Sequence, residues 1–382
     1  MFMGTGSYAY INPEMLKLAR EQCGYSIEQA VKTHLTPEKL EKAERGEVRL
    51  TFKQFLTLAN KYKRPPAFFY LKSPPEEEFP EDFRTIQAGE IKFGPILREH
   101  IKKIKEKRKL AITYQLYDQK FDYSYIKLIT IDSKPESVAN IILKFLKIDM
   151  KTRASWKTKY DAFNKWKNVI EEKGILVFQI SGVSVRDEMR GFSISEIPYP
   201  TIVLNRSDSP LGRIFTLIHE LCHLMLKKGG ICTTKKVDED QFEIERFCNA
   251  VAGAVLVPKA DLLDIRNIEN YDSSKTWTDI ELDQLKKIFW ASYEVILRRL
   301  LNFNKTNKKF YQKKRNEWQR LPLPAQRGGP PPYKKVLSGN SRNYIRIVLD
   351  AMYEGQITMH EASYYLDMNL KYLSKLEENL QS

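Results

Sequence analysis

The chain has 382 residues, of which 42% are hydrophobic and 29% charged, and it carries a net charge of +15 at pH 7. This length predicts two or three domains with hydrophobic cores of their own. The chain has no run of about 18 apolar residues, no secretory signal pattern at its N-terminus and only four cysteines. We therefore expect a cytoplasmic protein that has neither a membrane partner nor a disulfide framework.

Residues 1–72 predict a compact domain of short amphipathic helices. Ser26 and Thr36 are placed as helix N-caps, and Gly46 follows the third helix, where glycine is the preferred C-terminal stop. A fourth helix is predicted at residues 52–62. The segments YSIEQA and ERGEVRLTFKQFLTLA resemble helix-turn-helix domains of the Xre/Cro type, and this resemblance implies the same fold here.

If the domain binds DNA as Xre/Cro helix-turn-helix domains do, its third helix would enter the major groove. It reads TPEKLEKAE, and its glutamates oppose binding to phosphates. The cations that remain for DNA contact are Lys39, Lys42 and Arg45. Two hypotheses stay open: residues 13–71 bind DNA, or they bind a protein such as a repressor of the same fold.

Residues 73–150 predict an acidic, Pro-rich linker, SPPEEEFPED, followed by a helical connector. Three short β-rich runs come next, GILVFQIS, GFSIS and PTIVLN, and they predict a small sheet. The last run is a candidate edge strand, which could pair with an extended peptide substrate through its main chain; its residues are Ile202, Val203, Leu204 and Asn205. A purely structural hairpin is the alternative.

The segment LGRIFTLIHELCHLMLKK, residues 211–228, predicts one mostly apolar helix that carries an HExxH pattern. His219 and His223 are four residues apart and therefore share a helix face, where two imidazoles can bind one metal ion. Glu220 is placed to act as a base on a metal-bound water. The alternative is that both histidines are core residues of a buried helix.

A third ligand is available on the next predicted helix, QFEIERFCNAVAGAVLVP. Glu245 and Asn249 are four residues apart and share a face of that helix. Two histidines and one glutamate leave one coordination position open, which is typical of a catalytic zinc site rather than a structural one. Asn249 is a candidate to orient a ligand imidazole through the N–H that does not face the metal.

These segments resemble the ImmA/IrrE family of bacterial metallo-endopeptidases. The resemblance is carried by PTIVLNRSDSPLGRIFTLIHELCHLM and EIERFCNAVAGAVLVP. It implies that His219, His223 and Glu245 are the metal ligands and that Glu220 is the catalytic base, in a peptidase domain over residues 151–305. It also implies Zn²⁺ as the cofactor, with Mn²⁺ as the alternative, and a helix-turn-helix repressor or an antitoxin as the protein substrate.

Residues 306–333 predict a basic and Pro/Gly-rich linker that includes LPLPAQRGGPPPY, and residues 334–382 predict a C-terminal helical module. For residues 356–376 two interpretations stay open, a second helix-turn-helix unit and a plain helical packing module.

The sequence therefore predicts a mainly α protein. It contains an α+β zincin-like peptidase domain, formed by a small sheet and the HExxH helix, and helical N- and C-terminal modules. The predicted activity is zinc-dependent cleavage of a protein substrate, by Glu220-assisted attack of a metal-bound water. The alternative is a regulator or antitoxin that binds DNA or protein and keeps the peptidase fold without catalysis.

Overall fold

The computed structural model describes most of the chain, namely residues 7–31, 35–62, 64–73, 94–115, 120–185, 188–227, 230–232, 239–320 and 331–381. Most of the predicted acidic linker and most of the LPLPAQRGGPPPY segment lie outside these residues. The chain divides into two compact units, residues 1–103 and residues 104–382.

The first unit is built from short helices, as predicted. Its described helices are α1 (Pro13–Gln22), α2 (Ile27–Ala30), α3 (Pro37–Glu44), α4 (Phe52–Lys61) and a 3-10 helix at Pro66–Tyr70. Ser26, Thr36 and Thr51 each accept a hydrogen bond from the third backbone N–H of the helix that follows, which satisfies a donor that has no partner within the helix. Gly46 follows α3 with a φ of +78°, the left-handed conformation that favours glycine.

A buried ion pair ties α1 to α3 in this unit. The Arg20 guanidinium donates from Nε to Glu44 Oε1 at 2.7 Å and from a terminal nitrogen to Glu44 Oε2 at 2.9 Å. This two-pronged geometry fixes the relative position of the helices as well as neutralising both charges. The same guanidinium donates to the carbonyl of Tyr25 at 2.8 Å, so it also holds the turn after α1.

The second unit has a small sheet surrounded by helices. Its strands are β1 (Leu176–Ile180), β2 (Gly191–Ile194), β3 (Thr201–Asn205) and β4 (Gly230–Cys232). The helices that precede or contain the metal-ligand candidates are α5 (Pro95–Thr113, in this unit from residue 104), α6 (Pro135–Leu146), α7 (Met150–Ala154), α8 (Lys159–Glu171), α9 (Pro210–Leu226) and α10 (Glu239–Leu256). The later ones are α11 (Lys259–Asp264), a 3-10 helix at Ile265–Asn270, α12 (Asp279–Phe289), α13 (Tyr293–Asn302), α14 (Lys308–Arg320), α15 (Pro332–Gly339), α16 (Arg342–Tyr353), α17 (Met359–Leu366), a 3-10 helix at Leu370–Tyr372 and α18 (Leu373–Gln381). This mainly α architecture, with one small sheet beside the HExxH helix, confirms the predicted fold class.

The strand predicted as a substrate-binding edge lies inside the sheet instead. The four strands are ordered β1-β3-β2-β4, so β3 pairs with β1 in parallel and with β2 in antiparallel orientation. Both rows of its main-chain groups are thus occupied by other strands, and an extended peptide cannot add to it. The correction applies to the four residues predicted to bind substrate, Ile202, Val203, Leu204 and Asn205.

The two faces of the sheet pack against different parts of the unit. Val177, Ile202 and Leu204 face the main core, which includes Leu217 and Leu221 of α9. On the opposite face, Phe178 meets the ring of Tyr344 from α16 edge-on, with ring centroids 5.4 Å apart. The sheet is therefore the middle layer between the HExxH helix and the C-terminal module.

A polar network at the α15–α16 junction holds the C-terminal module in place. Lys107 of α5 donates to Asn340 Oδ1 at 2.6 Å, and Lys167 of α8 donates to the Asn340 carbonyl at 2.8 Å. Asn343 donates to the Glu171 carbonyl at 2.6 Å. These buried contacts make residues 331–353 part of the second unit's packing. The interpretation of residues 356–376 as a second helix-turn-helix unit stays a prediction.

Residues 306–320 were predicted to begin a linker, but most of them form helix α14. Tyr311 is buried, and Trp318 stacks on Tyr293 of α13 with ring centroids 5.5 Å apart. The helix predicted as part of the connector, α6, likewise packs on α10 and contributes Val138 and Ile142 to the main core. Within the described ranges, no helix combines the length and the apolar character needed to cross a membrane.

Candidate metal centre

Helix α9 holds the HExxH residues in a rigid, buried position. Ser209 caps its start by accepting the N–H of Gly212 at 3.0 Å, and Pro210 occupies the first turn, where its missing N–H costs nothing. Lys227 ends the helix with a φ of 54°. Because nearly all of the helix is buried, packing on every side fixes the orientation of His219 and His223.

The three predicted ligands converge on one point. The Nε2 atoms of His219 and His223 are 3.0 Å apart. Glu245 on α10 reaches both rings, with Oε2 at 3.3 Å from His219 Nε2 and Oε1 at 3.2 Å from His223 Nε2. In the described part of the chain, these residues form the one group of three or more His, Cys, Asp or Glu side chains able to hold a metal ion.

These separations fit a tetrahedral metal site. Zinc bonds of about 2.1 Å at tetrahedral angles place neighbouring ligand atoms about 3.4 Å apart. The three observed ligand separations are 3.0 to 3.3 Å, and they come from two nitrogens and one carboxylate. The donor set and its spacing therefore fit a divalent cation such as Zn²⁺, and His219, His223 and Glu245 would hold it.

The electrostatics of the cluster also favour a bound cation. Burial alone lowers the pKa of His223, but the hydrogen bond to Glu245 and the charges of Glu220 and Glu245 outweigh burial and raise it to about 9. Burial raises the pKa of Glu245, but its hydrogen bonds to both imidazoles outweigh that effect and hold the pKa well below its usual range. A site whose field holds an extra proton at neutral pH can exchange that proton for a metal ion.

Glu220 lies beside this cluster without being one of its ligands. The residue is fully buried, and its two carboxylate oxygens make no hydrogen bond to the described residues. Burial raises the pKa of this carboxyl, and the charges of His223 and His219 oppose the rise. A carboxylate that is removed from water and is not engaged as a metal ligand is suited to accept and release a proton.

Two other predicted site residues are placed differently from expectation. Asn249 lies on α10 but is exposed, so its role in orienting an imidazole stays a prediction. Asn205 is fully buried at the end of β3, where its side-chain nitrogen donates to the carbonyls of Val183 at 3.0 Å and Met189 at 2.9 Å. These bonds give Asn205 a structural role in the loop between β1 and β2.

The predicted DNA contacts in the first unit are partly engaged with other side chains. Arg45 forms ion pairs with Glu47 at 3.1 Å and with Glu41 at 3.9 Å. Lys39 donates to the side chain of Gln54 at 3.2 Å. Lys42 is exposed.

Three residues beside Glu220 were missed from the sequence. Gly191 and Ser193 of β2 border the carboxylate, and Thr216 of α9 packs against Gly191. The glycine was the available signal, because a glycine within a strand often marks a close approach of another group. Nothing in the local pattern identified the partner, since that depends on how β2 packs against α9.

A buried HExxH helix, a third ligand on the following helix and a small sheet together define a metallopeptidase-like domain. Residues 170–301 match the family model of peptidase M78, described as the IrrE N-terminal-like domain. The match contains the whole sheet, His219, His223, Glu220 and Glu245, and it supports the ImmA/IrrE resemblance for this part of the chain. No curated protein matches the chain.

Proposed function

We propose that this protein is a zinc-dependent endopeptidase. The observation that carries the proposal is the convergence of His219, His223 and Glu245 at 3.0 to 3.3 Å beside a buried carboxylate that is not a ligand. A His₂Glu set leaves room for water or substrate, as in catalytic rather than structural sites. The HExxH pattern and the match to peptidase M78 support the same chemistry.

The bound ion would lower the pKa of a coordinated water and polarise the scissile carbonyl. Glu220 has the role of general base, accepting the proton of the attacking water, and then of general acid, giving it to the leaving amide nitrogen. Burial, which raises the pKa of this carboxyl, makes it a stronger base than an exposed glutamate. The apolar packing of α9 keeps the two imidazoles oriented throughout.

The proposed substrate is a protein, either a helix-turn-helix repressor or an antitoxin. The ImmA/IrrE resemblance of the metal-ligand segments supports this choice. The first unit is the proposed site of partner recognition. The negative charges of Glu41 and Glu47 beside Arg45 oppose phosphate binding and favour a protein partner over DNA for residues 13–71.

The test uses the full-length protein and its Glu220→Gln variant. We expect both to bind about one zinc ion per chain, because Glu220 is not a ligand. Only the unchanged protein should cleave a purified helix-turn-helix repressor encoded beside it, and a chelator should stop the cleavage. Cleavage by the variant at the unchanged rate would rule out this mechanism. If the unchanged protein and the Glu220→Gln variant both bind promoter DNA whether or not zinc is present, the alternative of a non-enzymatic regulator would be favoured instead.

A further inference from the structure

The Glu220 carboxylate occupies a recess whose floor is Gly191. A methyl group on Gly191 would lie 3.2 Å from Glu220 Oε1 and 2.5 Å from Cγ2 of Thr216. These distances show that β2 passes close to the carboxylate and that the packing of Gly191 against Thr216 leaves no room for a side chain there. Side chains at alternate positions of a strand share a face, so Ser193 faces the same way as Gly191.

Ser193 and Glu220 are two buried polar groups that need a partner. Ser193 is 2% exposed and Glu220 is 0% exposed. Within the described residues, neither the serine hydroxyl nor either carboxylate oxygen meets the geometry of a hydrogen bond. Burial raises the pKa of Glu220; the charges of His223 and His219 oppose the rise, and so does the Ser193 hydroxyl, which lies close enough to stabilise the charged carboxylate. Leaving two such groups unpaired is costly, and a change in the Ser193 side-chain torsion, which moves its oxygen, would pair them.

We propose that Ser193 is a positioning residue for Glu220, donating its hydroxyl to one carboxylate oxygen above the space that Gly191 leaves open. This inference rests on the proposed peptidase function, since it assigns Glu220 the role of the base. A single donor would fix the plane of the carboxylate and leave its second oxygen for the water proton. In this role Ser193 acts through Glu220 and takes no direct part in binding the metal or the substrate.

The kinetic test compares two Ser→Ala variants of one strand region. Ser193→Ala removes the hydroxyl beside Glu220, and Ser195→Ala removes another buried hydroxyl two residues further on that does not act on Glu220. The probe is fluorescently labelled β-casein, with zinc-loaded full-length protein. We expect Ser193→Ala to lower kcat about tenfold or more and to leave KM nearly unchanged, while Ser195→Ala leaves both nearly unchanged. Ser193→Thr, which keeps the hydroxyl, should restore most of kcat.

A second measurement reads the contact without any substrate. The Ser193→Ala change is introduced into zinc-free protein that carries either Glu220 or the Glu220→Met substitution, and each Tm is measured. We expect Ser193→Ala to lower the Tm by about 2–4 °C when Glu220 is present, and by less than half as much when position 220 carries methionine. This non-additivity is the signature of a direct interaction.

The outcomes separate the inference from the function on which it rests. Equal falls in Tm in both backgrounds would overturn the Ser193 contact, as would a kcat for Ser193→Ala equal to that of the unchanged protein. Casein cleavage that is as fast in Glu220→Gln as in the unchanged protein would overturn the proposed mechanism. In that case the thermal cycle still decides whether Ser193 holds Glu220.

Discussion

Glu171, at the end of α8, accepts the backbone N–H of Arg342 at 3.3 Å and so caps the first turn of α16. The residue at the cap position, Ser341, makes no capping hydrogen bond of its own. A carboxylate from another helix therefore occupies the positive end of α16. The same carboxylate lies 3.2 Å from Lys167 Nζ, so the junction with the C-terminal module contains a buried, hydrogen-bonded ion pair.

Replacing Glu171 with alanine should destabilise the protein by about 3–5 kcal/mol, because Lys167 would be left buried without its counter-charge. Urea unfolding followed by circular dichroism measures this change. The matched control is Glu172→Ala, since Glu172 is the exposed neighbour on the same turn. If Glu171→Ala lowers the free energy of unfolding no more than Glu172→Ala does, the buried ion pair does not stabilise the packing of the C-terminal module.

Loss of any one ligand should weaken zinc binding strongly, since three groups converge on one point. We expect His219→Ala, His223→Ala and Glu245→Ala to remove the rise in Tm that zinc gives the unchanged protein by mass action. Asn249→Ala is the comparison, because Asn249 is exposed and should leave zinc affinity nearly unchanged. A loss of about 10-fold or more for Asn249→Ala would instead support its predicted role behind an imidazole.

Zinc binding to the metal-free protein should release about one proton at pH 7.5. The pKa of His223 is about 9 when the protein is folded, so the ring is protonated at that pH, whereas a metal ligand must be neutral. Calorimetry in two buffers with different ionisation enthalpies measures the release, and identical heats in both would contradict it.

The same shift predicts how the stability of the metal-free protein depends on pH. A folded pKa above the ordinary value of 6.5 means that the folded state holds its proton more tightly. The resulting stabilisation is fully present below about pH 6.5 and is lost as the pH rises through the folded value of about 9. Unfolding in urea at several pH values measures this trend. The His223→Gln variant should lack the part of the pH dependence that His223 contributes.

Gly191→Ala should destabilise the protein by about 1–3 kcal/mol, because the new methyl meets groups that are already packed. It would lie 2.5 Å from Thr216 Cγ2 and 3.0 Å from the Val203 carbonyl. Adding Thr216→Ser removes the first of these clashes and should recover part of the loss. Gly253→Ala is the control, since its methyl would have an ordinary contact at 3.4 Å. Equal effects at the two glycines would contradict the recess under Glu220.

The parts of the fold that local chemistry determines could be predicted from the sequence. Ser26 and Thr36 begin helices because their side chains satisfy nearby backbone donors. His219 and His223 share a helix face because an α-helix has 3.6 residues per turn, so residues four apart lie about one turn apart. The third ligand, Glu245, could be proposed because its helix follows closely in the chain.

The parts that depend on distant contacts could not be predicted in the same way. The place of β3 depends on a parallel pairing with β1, which no local pattern specifies. Its three consecutive apolar residues, Ile202, Val203 and Leu204, did indicate this, because strands covered on both faces lack alternation. The many lysines of residues 306–320 predict a linker, but Tyr311 and Trp318, seven residues apart, anchor one face of helix α14. Periodicity likewise placed Asn249 on a helix face without showing that the face is exposed there.

The edge-on contact between Tyr344 and Phe178 bears on how the metallopeptidase-like domain can be produced as a fragment. A fragment limited to residues 170–301, which match the family model, would expose the Phe178 face of its sheet to solvent. Phe192 and Val203, which are register partners, share that side with Phe178 and are as fully buried in the whole chain. Such a fragment would expose a contiguous apolar surface and is expected to precipitate, so a well-behaved fragment that carries the metal-ligand residues must extend through α16.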